Sequence, residues 1–175
     1  MTLERARQRA EALDSKTDDE IGQLRLGRPF EVRSEIRAYL LRRSEEMDTK
    51  NKPIELLKMQ RIKGGALIVL GPEIDKGSSP EHFHFDSGAR LSFGLTLREV
   101  DGGSQLVSFR YHYQLPAGRS PEYLRFDLNE ASYAEPLVEP RCHLHPGLED
   151  VRIPFSLHRP LEILDRIFFV LEKGI

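Results

Sequence analysis

Between Leu91 and Leu128 apolar and polar residues alternate in three successive runs separated by turns, a pattern that fits an antiparallel meander better than any helical arrangement. In the first run Leu91, Phe93, Leu95 and Leu97 face one way, and Ser92, Gly94, Thr96 and Arg98 the other. Asp101-Gly102-Gly103 turns the chain. The second run sets Val107, Phe109, Tyr111, Tyr113 and Leu115 against Ser108, Arg110, His112 and Gln114. After a turn from Pro116 to Pro121, the third sets Leu124, Phe126 and Leu128 against Tyr123, Arg125 and Asp127. The expected strands are therefore 91–99, 106–115 and 123–128, with one apolar and one polar face.

The apolar face needs a cover. Residues 160–171 supply it, since Pro160 suits a first helical turn and Leu161, Leu164, Ile167, Phe168 and Leu171 form a wide apolar stripe. Upstream, Ala66 to Leu70 reads as a buried strand between two glycine-containing turns, and residues 53–62 fit a strand or a helical turn. The segment 75–80, DKGSSP, reads as a mobile loop.

The first 50 residues have helical periodicity. Leu3, Ala6, Ala10 and Leu13 form one stripe; Asp14-Ser15-Lys16 then reads as an interruption, and Thr17 with Glu20 as a capping box for a second helix carrying Ile21 and Leu24. A third helix is expected over 32–47 with Ile36, Tyr39, Leu40 and Met47 on one face. Its arginines, Arg33, Arg37, Arg42 and Arg43, admit a DNA-recognition reading, against which the interleaved acidic residues argue for a solvated face. DTKNKP at 48–53 is the expected linker, dividing a helical arm (1–50) from a core domain (53–175). The fold class is α+β: an antiparallel sheet meander backed by a C-terminal helix and preceded by an N-terminal helical arm. That arm carries enough apolar surface to pack on the body or to join copies into a homo-oligomer.

Hydrophobic residues at 39 % and charged residues at 31 % describe a globular chain, not a disordered one. No apolar run approaches the roughly 18 residues that span a bilayer, and the N-terminus lacks the apolar core of a secretory signal. The expectation is a cytoplasmic protein without a membrane partner. Cys142, the single cysteine, cannot close an intramolecular disulfide. The net charge of −2 divides into +3 over residues 1–63 and −5 over 64–175, an asymmetry too small to announce a nucleic-acid-binding tail.

Chemistry-bearing residues concentrate on the polar sheet face and in the Arg141-Cys142-His143-Leu144-His145 segment. Arg98, Arg110, His112, Arg125 and Asp127 converge if the three strands are neighbours; guanidiniums hold phosphates, and imidazoles move protons. The simpler alternative is the charged, solvated face common to antiparallel sheets. His82-x-His84 and His143-x-His145 each place two imidazoles on one strand face, but no carboxylate stands at a familiar ligand spacing, so no metal or other cofactor is expected. Cys142 beside His143 or His145 is a weak nucleophile candidate, because adjacent residues of an extended chain point apart. Phosphate-loop, dinucleotide-binding, zinc-protease and nucleophile-elbow motifs are all missing.

The succession LTLREVDGGSQLVSFRYHYQ, YLRFDLN, PRCHLHPGLEDVRIPF and PLEILDRIF resembles the TumE-like toxin family of bacterial toxin-antitoxin systems, over about residues 83–170. The resemblance implies a small antiparallel sheet with an Arg-aromatic-Asp strand, a following histidine segment and a terminal helix. The matching positions are Arg110, Tyr111 and His112, then Arg125, Phe126 and Asp127, then His143 and His145. Leu128 stands where an asparagine commonly follows the aspartate, and the helical first 50 residues are additional to the pattern.

The leading expectation is a toxin-antitoxin component acting on RNA or another nucleotide-bearing target without a metal. Its partners would be RNA and an antitoxin protein. In that reading His112, Arg125, Asp127 and His143 are catalytic, and Arg98, Arg110, Arg141 and His145 bind the substrate. A non-catalytic interaction or ligand-binding module is the alternative, and a small metalloenzyme built on the His-x-His pairs the third.

Overall fold

The computed structural model describes residues 3–46, 56–71, 82–133 and 138–172. Within them the chain is α+β: a pair of helices, an eight-stranded antiparallel sheet and a C-terminal helix. The strands are β1 (Leu57–Ile62), β2 (Gly65–Leu70), β3 (Phe83–His84), β4 (Arg90–Val100), β5 (Gly103–Gln114), β6 (Tyr123–Leu128), β7 (Cys142–His145) and β8 (Ile153–Pro154). They lie in the order β1-β2-β4-β5-β6-β7-β8, and the short β3 also pairs with β4. Because β5 occupies one side of β4, β2 and β3 share the other side end to end, at Phe93–Arg98 and at Arg90–Leu91 respectively.

The three central strands follow the alternation. Phe93, Leu95, Phe109, Tyr111 and Phe126 are buried, and Leu124 is half-buried. One register detail differs. A bulge between Thr96 and Leu97 sets Leu97 opposite Leu106, so Leu106 enters the core and Val107 is left half-buried. An extra residue in one strand of a pair shifts the faces of whatever lies beyond it, and alternation alone does not locate that residue.

The amino-terminal segment also departs from expectation. Instead of two helices broken at Asp14-Ser15-Lys16, one continuous helix, α1, spans Leu3–Gln23. Thr17 is not a cap: its hydroxyl donates to the Leu13 carbonyl one turn back at 2.9 Å, and the residue is buried. Asp14 and Asp18, one turn apart on the helix, grip Arg141. Asp14 Oδ1 accepts from the Arg141 backbone N–H at 2.9 Å, and Asp18 Oδ1 from Arg141 Nε at 2.8 Å. Residues that locally favour a break are thus held helical by a tertiary contact.

The second helix, α2, is Pro29–Glu46, so the described residues hold two helices here and no helix-turn-helix triplet. Ile21 of α1, Leu24 just after it, and Val32, Ile36, Tyr39 and Leu40 of α2 belong to the same apolar core as the sheet. The arm packs on the body. Met47 and the 48–53 linker lie outside the described residues, as does the DKGSSP loop. The ambiguous 53–62 segment is strand β1 from Leu57.

The C-terminal cover forms as α3 (Pro160–Asp165), continuing as a π-helical turn over Arg166–Leu171. Ile163, Leu164, Ile167 and Phe168 are buried, while Leu161 and Leu171 are half-buried. Phe168 meets Phe83 and Phe85 edge-on at ring distances of 5.5 and 5.0 Å. Tyr39 of α2 donates a hydrogen bond to Asp165 at 2.7 Å, which ties the two helical layers together. No described helix is long and apolar enough to cross a membrane.

Candidate functional site

Strand register places the polar side chains in two adjacent rows. One runs Ser92, His112, Arg125, His145 across β4 to β7; the next runs Gly94, Arg110, Asp127, His143. Gly94 contributes no side chain to the second row, leaving Arg110 half-exposed beside it. Of the expected residues, the fold therefore unites Arg110, His112, Arg125, Asp127, His143 and His145.

Two expected residues go elsewhere. Arg98 is exposed on β4 beyond the bulge, and Arg141 is buried in its clamp with Asp14 and Asp18. Both line a separate hollow of about 410 Å³ beside α1, together with Asp18, Ile21 and Glu130. With its guanidinium committed to Asp18, Arg141 is not a group poised over the sheet's polar face.

Asp127 forms the anionic centre. Its Oδ2 accepts from Arg125 Nε at 2.8 Å, and Arg110 Nε stands 3.4 Å from Oδ1, which makes no hydrogen bond. The carboxylate is buried, and Arg125 is only 15 % exposed. The guanidinium of Arg125 also holds Glu149 through Nη1 with both oxygens, at 2.8 and 2.9 Å, and donates from Nη2 to His145 Nε2 at 2.8 Å. Glu149 accepts a further bond from the Tyr123 hydroxyl at 2.7 Å, and these donors hold its carboxyl below the usual range.

The turn after β7 brings Glu149 over this face. Gly147 permits it, because its φ is +77° and a Cβ there would lie 2.6 Å from Pro121. The same stretch covers the two histidines, both fully buried. His143 Nδ1 donates to the Pro140 carbonyl at 2.7 Å, and His145 Nδ1 reaches the Leu148 carbonyl at 3.4 Å. A guanidinium can only donate, so His145 Nε2 is an acceptor and its proton is on Nδ1. The two Nε2 atoms stand 3.1 Å apart. Burial presses the His143 pKa below its ordinary value, favouring the neutral ring.

His112 lies nearer the surface, edge-on to Tyr123 at a ring distance of 5.1 Å. Burial first, and then repulsion from Arg125 and His82, lower its pKa. Its Nε2 is itself buried and has no hydrogen-bond partner. His158, in the loop before α3, is lowered by burial and by Arg166. Stability is therefore expected to fall as pH drops below about 6.5. For groups whose folded pKa is depressed, the unfolded chain binds more protons; their contribution is complete above the unfolded pKa and is lost as pH falls through the folded ones. Urea midpoints at about pH 7.5 and about pH 5.5 check this, the lower pH giving the lower midpoint. Equal midpoints contradict it.

Cys142 is not part of the site. Its side chain turns to the core face opposite Leu128, with Sγ 3.8 Å from the Ser156 carbonyl, and burial pushes its thiol up to about 12. A thiol so held is inert. His82 and His84 form a separate edge-on pair with rings 6.4 Å apart. Sequence reasoning missed Glu149, Tyr123 and Glu139, the last of which stands 3.9 Å from His143 and forms an ion pair with Arg152 at 2.8 Å. The two glutamates reach the cluster from outside the central strands and no local spacing marks them, whereas Tyr123 shares the alternation of Arg125 and Asp127 at the start of β6.

No protein-family model, curated protein or solved structure matches the chain.

Proposed function

We propose that the chain is a TumE-like toxin-antitoxin component whose sheet face, at Arg110, His112 and Arg125, takes the phosphodiester backbone of RNA. The observation that carries this reading is the cross-strand adjacency of two guanidiniums and an imidazole whose Nε2 has no partner. Arg110 is 40 % exposed and offers its donors to a phosphate. Arg125 is held in place from behind by Asp127 and His145 and from the side by Glu149. The depressed pKa of His112 keeps the ring neutral near pH 7, the form a general base requires.

In this reading Asp127, His143 and His145 are positioning residues, since the histidines are buried, His145 touching Arg125 directly and His143 reaching it only through His145 and Asp127. That burial is the specific observation favouring a second reading, an RNA- or protein-binding module without catalysis.

Single-stranded RNA offered to the native chain, to Arg110→Ala and to His112→Ala separates the two readings. The toxin reading expects growth arrest on expression of the native chain and RNA cleavage in vitro. With His112→Ala, cleavage falls by about 10²- to 10⁴-fold while RNA binding persists. Arg110→Ala weakens binding and flattens its salt dependence. Binding without cleavage by the native chain selects the module. Neither binding nor arrest removes RNA from the account.

A further inference from the structure

We infer that Asp127, His143 and His145 are the protein ligands of a divalent first-row transition ion of zinc's class, bound beneath Arg125. This goes beyond the phosphodiester reading and does not rest on it. The three ligand atoms are His143 Nε2, His145 Nε2 and an oxygen of Asp127, all mutually within 4.8 Å. The edges of the triangle, taken with Oδ2, are 3.1, 3.4 and 3.7 Å. Donor atoms placed tetrahedrally at 2.0–2.1 Å from an ion lie about 3.3 Å apart, so one ion near the triangle can reach all three.

The chemistry of the donors points the same way. Each imidazole directs Nδ1 to a backbone carbonyl, Pro140 or Leu148, as metal-bound histidines do to fix tautomer and ring orientation. That leaves both Nε2 atoms without a proton of their own and 3.1 Å apart, with the cationic Arg125 Nη2 already donating to that of His145, in the place a metal ion would take. A shared proton would serve two nitrogens. A metal ion also accounts for the buried carboxylate oxygen, Asp127 Oδ2, that closes the triangle.

The sequence offered no carboxylate at a familiar spacing because this one belongs to another strand. Asp127 stands opposite His143 in the β6–β7 ladder. Two imidazoles and one carboxylate suit zinc, iron(II) or cobalt(II) rather than magnesium or calcium, and leave coordination positions free.

Arg125 competes for the same space. Its Nη2 holds His145 Nε2 and its Nε holds Asp127 Oδ2, so an ion must displace at least the Nη2 contact; Glu149 can keep the guanidinium. The competition supplies the test. The chelator-stripped full chain and its Arg125→Met variant are titrated with Co²⁺ and with Zn²⁺, reading visible d–d absorption, metal per chain and Tm.

One Co²⁺ per chain is expected, displaceable by Zn²⁺, with Tm raised by either ion. Arg125→Met should bind about tenfold more tightly or better, because a like charge beside the ion is gone. His143→Ala should lose the absorption, and a chain lacking both His82 and His84 should keep it. Absence of stoichiometric binding in both the native chain and Arg125→Met overturns the inference in favour of a shared proton. Retention of binding in folded His143→Ala overturns it too.

Discussion

Asp127→Ala is expected to destabilise the chain by about 3–5 kcal/mol, because removing one partner of a buried ion pair leaves the other charge uncompensated. Arg125 would keep Glu149, but Glu149 is 65 % exposed and its attraction is screened by water. The two buried imidazoles would lose the only anion that lies within 4 Å of both among the described residues. Glu149→Ala is the internal control, at less than about 1 kcal/mol despite removing two short bonds to the same guanidinium. Urea denaturation of both variants in chelator separates them. For a chain of this size the difference corresponds to a fall in Tm on the order of 10 °C for Asp127→Ala. Equal costs for the two variants would mean that the buried carboxylate does not organise the cluster.

Phe168→Ala is expected to cost about 3–5 kcal/mol through a cavity at the centre of the molecule. Phe168 is fully buried where three elements meet: edge-on to Tyr39 of α2 at 5.8 Å, and close to Phe83 of β3 and to Phe85 just after it. None of these neighbours can collapse into the gap without abandoning its own contacts. Val170, two residues on in the same π-helical turn, is 65 % exposed, and Val170→Ala should stay within about 0.5 kcal/mol of the native chain. Thermal unfolding of the pair tests whether the terminal helix is integral to the core. Similar Tm values for the two variants would show that it is a detachable cover.

The central meander was legible because side-chain alternation is a direct image of the pleat, and β4, β5 and β6 obey it. The placement of Arg110 beside Asp127 and of His112 beside Arg125 followed from the same reading once the strands were taken as neighbours. Illegible features were those decided by distant partners. Asp14-Ser15-Lys16 reads as a break until Arg141, far along the chain, supplies a reason to stay helical. Arg141 in turn looked free to bind an anion. The bulge at Thr96/Leu97 obeys no local signal that distinguishes Val107 from Leu106. The carboxylate that completes the His143–His145 pair sits on a neighbouring strand, where one-dimensional spacing cannot find it.

The two ends of the strand order bear on how another chain could meet this one. At one end β8 is only two residues long, and its Pro154 has no N–H to offer, so the hydrogen-bonding ladder has little with which to recruit a further strand. At the other end β1 is six residues long and carries exposed Lys58 and Arg61 along its length. A partner that adds a strand to this sheet should therefore do so beside β1, and acidic side chains on the incoming strand would complement it. A strand added there would lie five positions away from Arg125, leaving the Arg110–His112 face uncovered unless some other part of the partner reached around.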